Sequence, residues 1–436
     1  METFYRLQFR EIWQYIRGER AAYLFILFYM FLEYVRPQSL YPQIDIIPFA
    51  QLSIVGALAA AFLGGENGWV RNAENKLIVL FLAVVALSSV YAFRPEESFA
   101  AKELFLSWFV VYFLIINIVN TEKRLFVFIG LFLLYNFKMS QHGFVSWASA
   151  GFAFRNWGVT GGPGWFHNSG EFGIEMCLFV PMAIYFMIAM KPYWSKTKMT
   201  LFALLPFTGI ASIIATTSRG AVVGIAASLL WMVAQSKMKT KAFIAVAVIA
   251  GIAYLSIPPQ FYARFESAGE DSTSVARLNR WKYGVEIMNQ HPWLGIGFRN
   301  WESYYALHYE PDEPNGGWGL PHNIFVDAGS ELGYPGLILY VLMILYTFTN
   351  NIRTRRMAKE LDNRFLYYTA AGLDAALIGF LISGSFVSVL YYPYFWINMS
   401  MTVALNNITR RQWEARAESP AAVPIAGLRD PVKEGS

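Results

Sequence analysis

The sequence predicts an all-α, polytopic membrane protein with about 12 transmembrane helices and one large outward loop. Of its 436 residues, 56% are apolar and 15% charged, whereas roughly a quarter are charged in an ordinary soluble domain. Apolar stretches of about 20 residues, the length a helix needs to cross a core of roughly 30 Å, recur along the chain. Connections between these stretches alternate between basic-rich and basic-poor, so charge is sorted by membrane side. The formal charge of +5 then describes orientation and gives no reason to expect nucleic acid. Cys177, the single cysteine, lies in an apolar run, which excludes an internal disulfide framework and a cysteine zinc site.

Residues 1–20 read as a cytoplasmic interfacial helix, because Tyr5, Phe9, Ile12, Trp13 and Ile16 share one face and Arg6, Arg10 and Arg17 do not. The charged start and the lack of a small-residue cleavage site make the first span a retained anchor. Helices 1–9 occupy 21–257, with apolar runs beginning near Ala22, Ile46, Leu77, Leu104, Leu125, Phe172, Leu201, Ala221 and Ala242. An outward loop with an amphipathic helix fills 258–322. Helices 10–12 occupy 323–409, beginning near Ile324, Phe365 and Tyr391, and 410–436 reads as a disordered cytoplasmic tail. With this assignment, about two thirds of the 35 Lys and Arg fall on the side of the N-terminus, which places both termini in the cytoplasm.

Function is expected in the two outward connections that are longer than a turn requires, about 141–170 and 257–322. Glycine, tryptophan and arginine recur there: Arg155, Trp157, Trp165, His167 and Asn168 in the first, Arg277, Arg280, Trp281, Trp293 and Arg299 in the second. Aromatic rings stack on the apolar faces of sugars, and glycine allows close backbone approach. From Ser274 to Gln290, the residues Val275, Leu278, Trp281, Val285 and Met288 form one stripe with Arg277 and Arg280 off it. This predicts a helix lying on the outer membrane surface, its arginines near headgroup level. Arg219, in the short outer turn Thr216-Thr217-Ser218-Arg219-Gly220, either snorkels to lipid phosphate or meets a specific anion.

His322 follows a proline and precedes the tenth span. Its imidazole is either a structural group or a general base for an attacking hydroxyl. Asp327 and Glu331 lie one turn apart just beyond it, where they orient His322 or hold the bundle together; Glu171 and Glu175 repeat this spacing after His167 and Asn168. The five histidines lack zinc-site spacing, and Glu310, Asp312 and Glu313 read as an exposed acidic loop. No metal or cofactor is expected, since no P-loop or dinucleotide fingerprint is present.

In order, Thr217-Ser218-Arg219-Gly220, Arg277 with Trp281, His291-Pro292-Trp293-Leu294-Gly295-Ile296-Gly297, Pro321-His322-Asn323 and Glu331-Leu332-Gly333-Tyr334-Pro335-Gly336 resemble the bacterial O-antigen ligase and polysaccharide polymerase superfamily. Glu33-Tyr34-Val35-Arg36-Pro37-Gln38-Ser39-Leu40-Tyr41-Pro42 looks like its exopolysaccharide-associated, O-glycosylation ligase-like subgroup. The resemblance implies a metal-independent C-type glycosyltransferase architecture at the periplasmic face of the inner membrane. The donor it implies is an undecaprenyl-diphosphate-linked glycan, and the acceptor a glycan, the lipid A core or a protein. By position, Arg219 and Arg277 would hold the diphosphate, joined by Arg280, and His322 would activate the acceptor. Arg155, Trp165, His167, Asn168, Trp281, Arg299, Asn323 and Asp327 are expected to touch glycan or support the site. A polymerase is the alternative. A transporter of lipid-linked sugar would instead place ionisable residues near the midplane of two similar halves, which the sequence does not show.

Overall fold

Several helix starts in this chain are set by single polar residues. Asn72, Thr121, Asn168, Ser195, Ser218, Asp271, Asn323 and Asn363 each accept a hydrogen bond from a backbone N–H in the first turn of the helix that follows, satisfying donors that have no partner within the helix. The computed structural model describes residues 1–418 apart from 42, 44, 67, 69, 155–157, 257–268, 270 and 310–318. Among the described residues the regular structure is helical throughout: α1 (Glu2–Tyr5), α2 (Phe9–Arg17), α3 (Ala21–Tyr34), α4 (Pro37–Leu40), α5 (Phe49–Leu63), α6 (Ala73–Val90), α7 (Pro95–Ala100), α8 (Lys102–Ile118), α9 (Glu122–Ser149) and α10 (Ser169–Met190). The chain continues with α11 (Lys196–Phe202), α12 (Leu204–Ala215), α13 (Arg219–Gln235), α14 (Lys239–Ser256), α15 (Ser272–Gln290), α16 (Trp301–His308), α17 (Ile324–Glu360), α18 (Arg364–Gly384) and α19 (Pro393–Ala417).

This is a multi-pass membrane protein. Helices stand at each position where a span was expected. Among the described residues, five segments are long and apolar enough to cross a membrane: α6, α10, α11 with α12, α17 and α18. Of the others, α3, α5 and α13 have only 14, 15 and 17 residues.

The centre of the bundle is α10, α18 and the first part of α19. In α10 and α18, 83% and 72% of the apolar window is buried, and Pro393 to Thr409 of α19 are buried without a break. Small residues let these helices approach closely. A Cβ added at Gly379 would fall 2.9 Å from the Cys177 carbonyl, and one at Gly224 would fall 2.8 Å from the Gly379 carbonyl. Cys177 is buried in this contact, its thiol donating to the Ala221 carbonyl at 3.2 Å.

Some polar residues in the interior are paired. The Asn351 amide donates to Asp374 at 2.8 Å and Arg355 pairs with the same carboxylate. At the end of the bundle where the N-terminus lies, Arg124 bridges Glu19 at 2.6 Å and Glu66 at 2.7 Å, and the Tyr5 hydroxyl donates to Glu122. The face expected for residues 1–20 is therefore divided. Leu7, at φ 49, separates α1 from α2; Tyr5 is buried against Phe126 and Phe365, while Phe9 and Trp13 are exposed. At the other terminus α19 runs past the expected boundary at 409 to Ala417, and 419–436 lie outside the described residues.

One departure from regular helix shapes the opposite end of the bundle. Gly333 interrupts α17 with φ 68 and ψ −174, two residues before Pro335, a glycine and proline pair of the kind that kinks helices. Asp327 and Glu331 lie before this break.

Candidate active site

Ser218 caps α13, its hydroxyl accepting from Ala221 N–H at 3.3 Å, which makes Arg219 the first helical residue. The guanidinium points to Asp271, donating at 3.0 Å and 3.5 Å, and to the Ser274 hydroxyl at 3.3 Å. Asp271 is the cap of α15 and accepts from Ser274 N–H at 3.1 Å. Arg219 holds its carboxyl well below the usual carboxylate range, although burial acts the other way. Of the two readings open for Arg219, an anion partner is realised, and within this chain it is Asp271.

On α15, Ser274, Arg277, Arg280, Trp281, Gly284, Ile287 and Met288 face inward, while Val275, Leu278 and Val285 are exposed. The predicted stripe is thus split. The reason is small-residue packing against α17: a Cβ at Gly284 would fall 2.2 Å from Val326 Cγ1, and one at Gly329 would fall 2.0 Å from Met288 Sδ. That contact turns the arginines toward the bundle and leaves apolar side chains outside. Arg280 is buried, with its guanidinium against Gly319 and 5.7 Å from the Tyr305 ring centroid. Arg277 Nε is buried without a hydrogen-bond partner among the described residues. Burial lowers its pKa and the charges of Arg219 and Arg280 add to this, with Asp271 opposing; a guanidinium so placed remains charged.

His322 is fixed through the backbone on both sides. Trp301 and Trp281 donate indole N–H bonds to the Gly319 and Pro321 carbonyls at 3.0 Å and 2.8 Å. Its own N–H donates to Ser388 Oγ at 2.9 Å, and Ser388 Oγ donates to Asp327 at 3.0 Å. Asn323 caps α17. The φ of 53 is left-handed backbone, uncommon for a residue with a side chain and concentrated at functional sites. The imidazole Nδ1 is buried with no hydrogen-bond partner among the described residues. Burial first, then the charges of Arg277 and Arg280, push its pKa down to about 4. Arg219, Arg277, Arg280 and His322 therefore converge, each within electrostatic reach of the next.

The surrounding residues have more varied positions. Asp327 reaches His322 through Ser388 and the backbone. Arg299, at φ 60, donates its N–H to Glu331 at 3.1 Å; burial disfavours its charge, but Glu331 and Glu302 outweigh that and raise its pKa. The glycines of the 291–297 run serve α17. Gly295, at φ 64, leaves room for the Glu331 carbonyl 2.6 Å from where a Cβ would stand, while Ile296 and Gly297 donate to the Ser330 and Glu331 carbonyls at 2.9 Å and 3.1 Å. The break at Gly333 frees those carbonyls from the helix ladder. Trp293 of this run is 77% exposed.

In the first loop, Asn168 and Glu171 form the capping box of α10. His167 is exposed, with Nδ1 2.5 Å from the Gly164 carbonyl. Trp165 donates to Glu33, and its ring meets Tyr392 at 4.8 Å. Arg155, Glu310, Asp312 and Glu313 lie outside the described residues. Among those described, no group of three His, Cys, Asp or Glu residues is placed to hold a metal ion.

Sequence reading missed Asp271, Ser388 and Tyr392. Asp271 had a signal, an aspartate three residues before the amphipathic run. Ser388 and Tyr392 come from the α18–α19 connection, and no local pattern links them to His322. Tyr392 lies within electrostatic reach of Glu171, Arg299 and Asp327 and so joins the two outward loops.

Residues 201–341 match the family model described as O-antigen ligase. The chain is similar to the exopolysaccharide production protein ExoQ of Rhizobium meliloti (strain 1021), 24% identical over 223 residues, which are 45% of this chain and 47% of that protein. It is also similar to the O-antigen ligase of Pseudomonas aeruginosa, 29% identical over 194 residues, which are 42% of this chain and 43% of that protein. The matched region thus spans less than half the length of either relative. The segment matched by that family model holds Arg219, Arg277, Arg280 and His322, so the chain is similar to O-antigen ligases over the part that carries the candidate site.

Proposed function

We propose that the protein is a membrane glycosyltransferase that moves an undecaprenyl-diphosphate-linked glycan to an acceptor hydroxyl at the periplasmic face of the inner membrane, with both termini cytoplasmic. The observation that carries this is an imidazole whose Nδ1 is buried with no hydrogen-bond partner among the described residues, set beside the Arg277 and Arg280 guanidiniums, with Arg219 next to Arg277. Asp271 offsets part of that positive charge, and a diphosphate complements the remainder. The reaction forms a bond from acceptor oxygen to anomeric carbon and breaks the bond from that carbon to the diphosphate. The hydroxyl proton passes to His322. Undecaprenyl diphosphate leaves with its charge spread over Arg219, Arg277 and Arg280, the electrostatic stabilisation that usually dominates such chemistry. No nucleotide is consumed, because the donor is already activated.

The relatives' names span the two acceptors. A ligase uses a lipid A core or a protein; a polymerase uses a second lipid-linked glycan. The ligase type is our first reading and the exopolysaccharide polymerase our second, favoured by the similarity to an exopolysaccharide production protein. Purified protein given lipid-linked donor, with and without candidate acceptor and in excess chelator, tests both: release of undecaprenyl diphosphate coupled to transfer supports an enzyme. Chain growth from donor alone selects the polymerase. Movement of intact donor across the bilayer without bond cleavage rejects both.

Two expected results follow from the geometry. A neutral imidazole is the active form, so kcat/KM at limiting donor should hold down to acid pH and fall as pH drops through about 4, below the roughly 6.5 of free imidazole. Bound diphosphate offsets the arginines, so the acid limb of kcat at saturating donor should lie higher. A limb near 6.5 in both profiles would mean that the imidazole is exposed and unperturbed.

Gly319→Ala places a Cβ 1.9 Å from Arg280 Cζ. The flexible guanidinium can move aside, so the fold should persist while transfer falls about as far as in Arg280→Ala. Thermal unfolding alongside turnover checks this; normal turnover would show that the position of Arg280 is unimportant.

A further inference from the structure

A cavity at the end of α3 is built from residues that the proposed chemistry leaves unused. It measures about 520 Å³ and is lined by Glu33, Arg36, Gln38, Glu103, Trp108 and Trp165, among others, a size typical of small-molecule sites at about 300–1,000 Å³. Glu33 is buried at the end of α3, where a carboxylate is costly unless it is held. The Trp165 indole donates to it and the Arg36 guanidinium is within electrostatic reach. Arg36 has φ 50, strained backbone of the kind found at ligand clamps. Its guanidinium occupies the space that a side chain at Gly164, φ 85, would fill, since an added Cβ there would fall 1.1 Å from Nη1. Arg36 Nε and Gln38 Oε1 are buried with no hydrogen-bond partner among the described residues.

We infer that this cavity is a subsite for a sugar ring of the glycan. The inference rests on the glycosyltransferase reading and specifies where that glycan lies. Trp165 supplies a face for the C–H surface of a pyranose, with buried Trp108 packed behind it at 6.0 Å between ring centroids. A carboxylate, a guanidinium and an amide supply the mixed acceptors and donors that hydroxyl groups require. Glu33, Glu103 and Asp45 all line the cavity, which disfavours a phosphate and favours an uncharged polyol. On one side of the cavity the Trp165 ring meets Tyr392, which lies within electrostatic reach of Asp327, the carboxylate that accepts from Ser388. On this reading a glycan seated here continues along that side toward the candidate site.

The test uses the full-length purified protein and, as probe, the oligosaccharide repeat released from the producing cell's own polysaccharide. Binding is read as quenching of tryptophan fluorescence. Wild type and His322→Ala should bind alike, whereas Glu33→Gln, Gln38→Ala and Trp165→Phe should bind about tenfold more weakly. In the transfer assay, Gln38→Ala should raise one KM about tenfold with kcat little changed. A raised acceptor KM assigns the cavity to the acceptor, and a raised donor KM assigns it to the lipid-linked glycan. Absence of saturable binding to wild type, or unchanged binding and KM in both Glu33→Gln and Gln38→Ala, overturns the subsite. Saturable binding that these variants lose, in a protein that transfers nothing, keeps the subsite and overturns the reaction.

Discussion

His322→Ala is expected to lower glycan transfer by about 100- to 10,000-fold, the usual contribution of a general base, while binding of lipid-linked donor persists. The structure separates the two effects because the imidazole is not what fixes its loop. Trp281 and Trp301 bind carbonyls on the N-terminal side, Ser388 binds the backbone N–H of His322, and Asn323 caps the helix beyond. Loss of the ring removes the proton acceptor and leaves the backbone arrangement in place. Turnover should be measured as undecaprenyl diphosphate released, and donor binding by native mass spectrometry on the same preparation. Turnover within a few-fold of wild type would end the general base role. Loss of donor binding together with a lowered unfolding temperature would make His322 a structural residue.

Arg219→Ala and Arg277→Ala should each reduce kcat/KM by about 100- to 1,000-fold, the range seen when one donor to a developing anion is removed. Donor affinity should fall with them, because the ground state carries the same charge. Arg219 needs a control that Arg277 does not, since it also clamps the N-terminus of α15 through Asp271. Asp271→Asn supplies it, keeping the shape of the cap while weakening the ion pair. If Arg219 acts on diphosphate, Asp271→Asn retains most of the activity. If Arg219 acts only as a clamp, Asp271→Asn matches Arg219→Ala, and the double variant is no worse than either single one. That second pattern would remove Arg219 from the diphosphate site.

Much of the architecture was legible because it is local. A helix start needs one polar side chain near an unpaired N–H, which Asn72, Thr121, Ser218 and Asn323 supply in the structure. The long apolar runs likewise appear as helices. The number of helices that cross is less local, because α3 and α5, with 14 and 15 residues, fall below the length criterion that α10 or α18 meets.

Side-chain direction was legible only in part. Periodicity found the α15 helix, yet placed its arginines at headgroup level, whereas Gly284 against Val326 and Met288 against Gly329 turn them into the bundle. An apolar stripe does not say whether protein or lipid covers it; on α15 the exposed Val275, Leu278 and Val285 belong to the outer side. The glycines of the 291–297 run illustrate the same limit. Glycine was read there as allowing close approach to a sugar; the backbone that these glycines approach in the structure is the broken helix at Gly333.

By itself the sequence determined that this chain is helical and membrane-embedded and marked Arg219 as a rare charge between apolar runs, because hydropathy is a property of single segments; the family resemblance grouped Arg277, Arg280 and His322 with it. Only the tertiary structure decided that these four meet, that Asp271 restrains one of them, and that Ser388 and Tyr392 support the rest. Such contacts join residues up to a hundred or more positions apart, and the depth at which a charge is buried depends on all the helices packed around it.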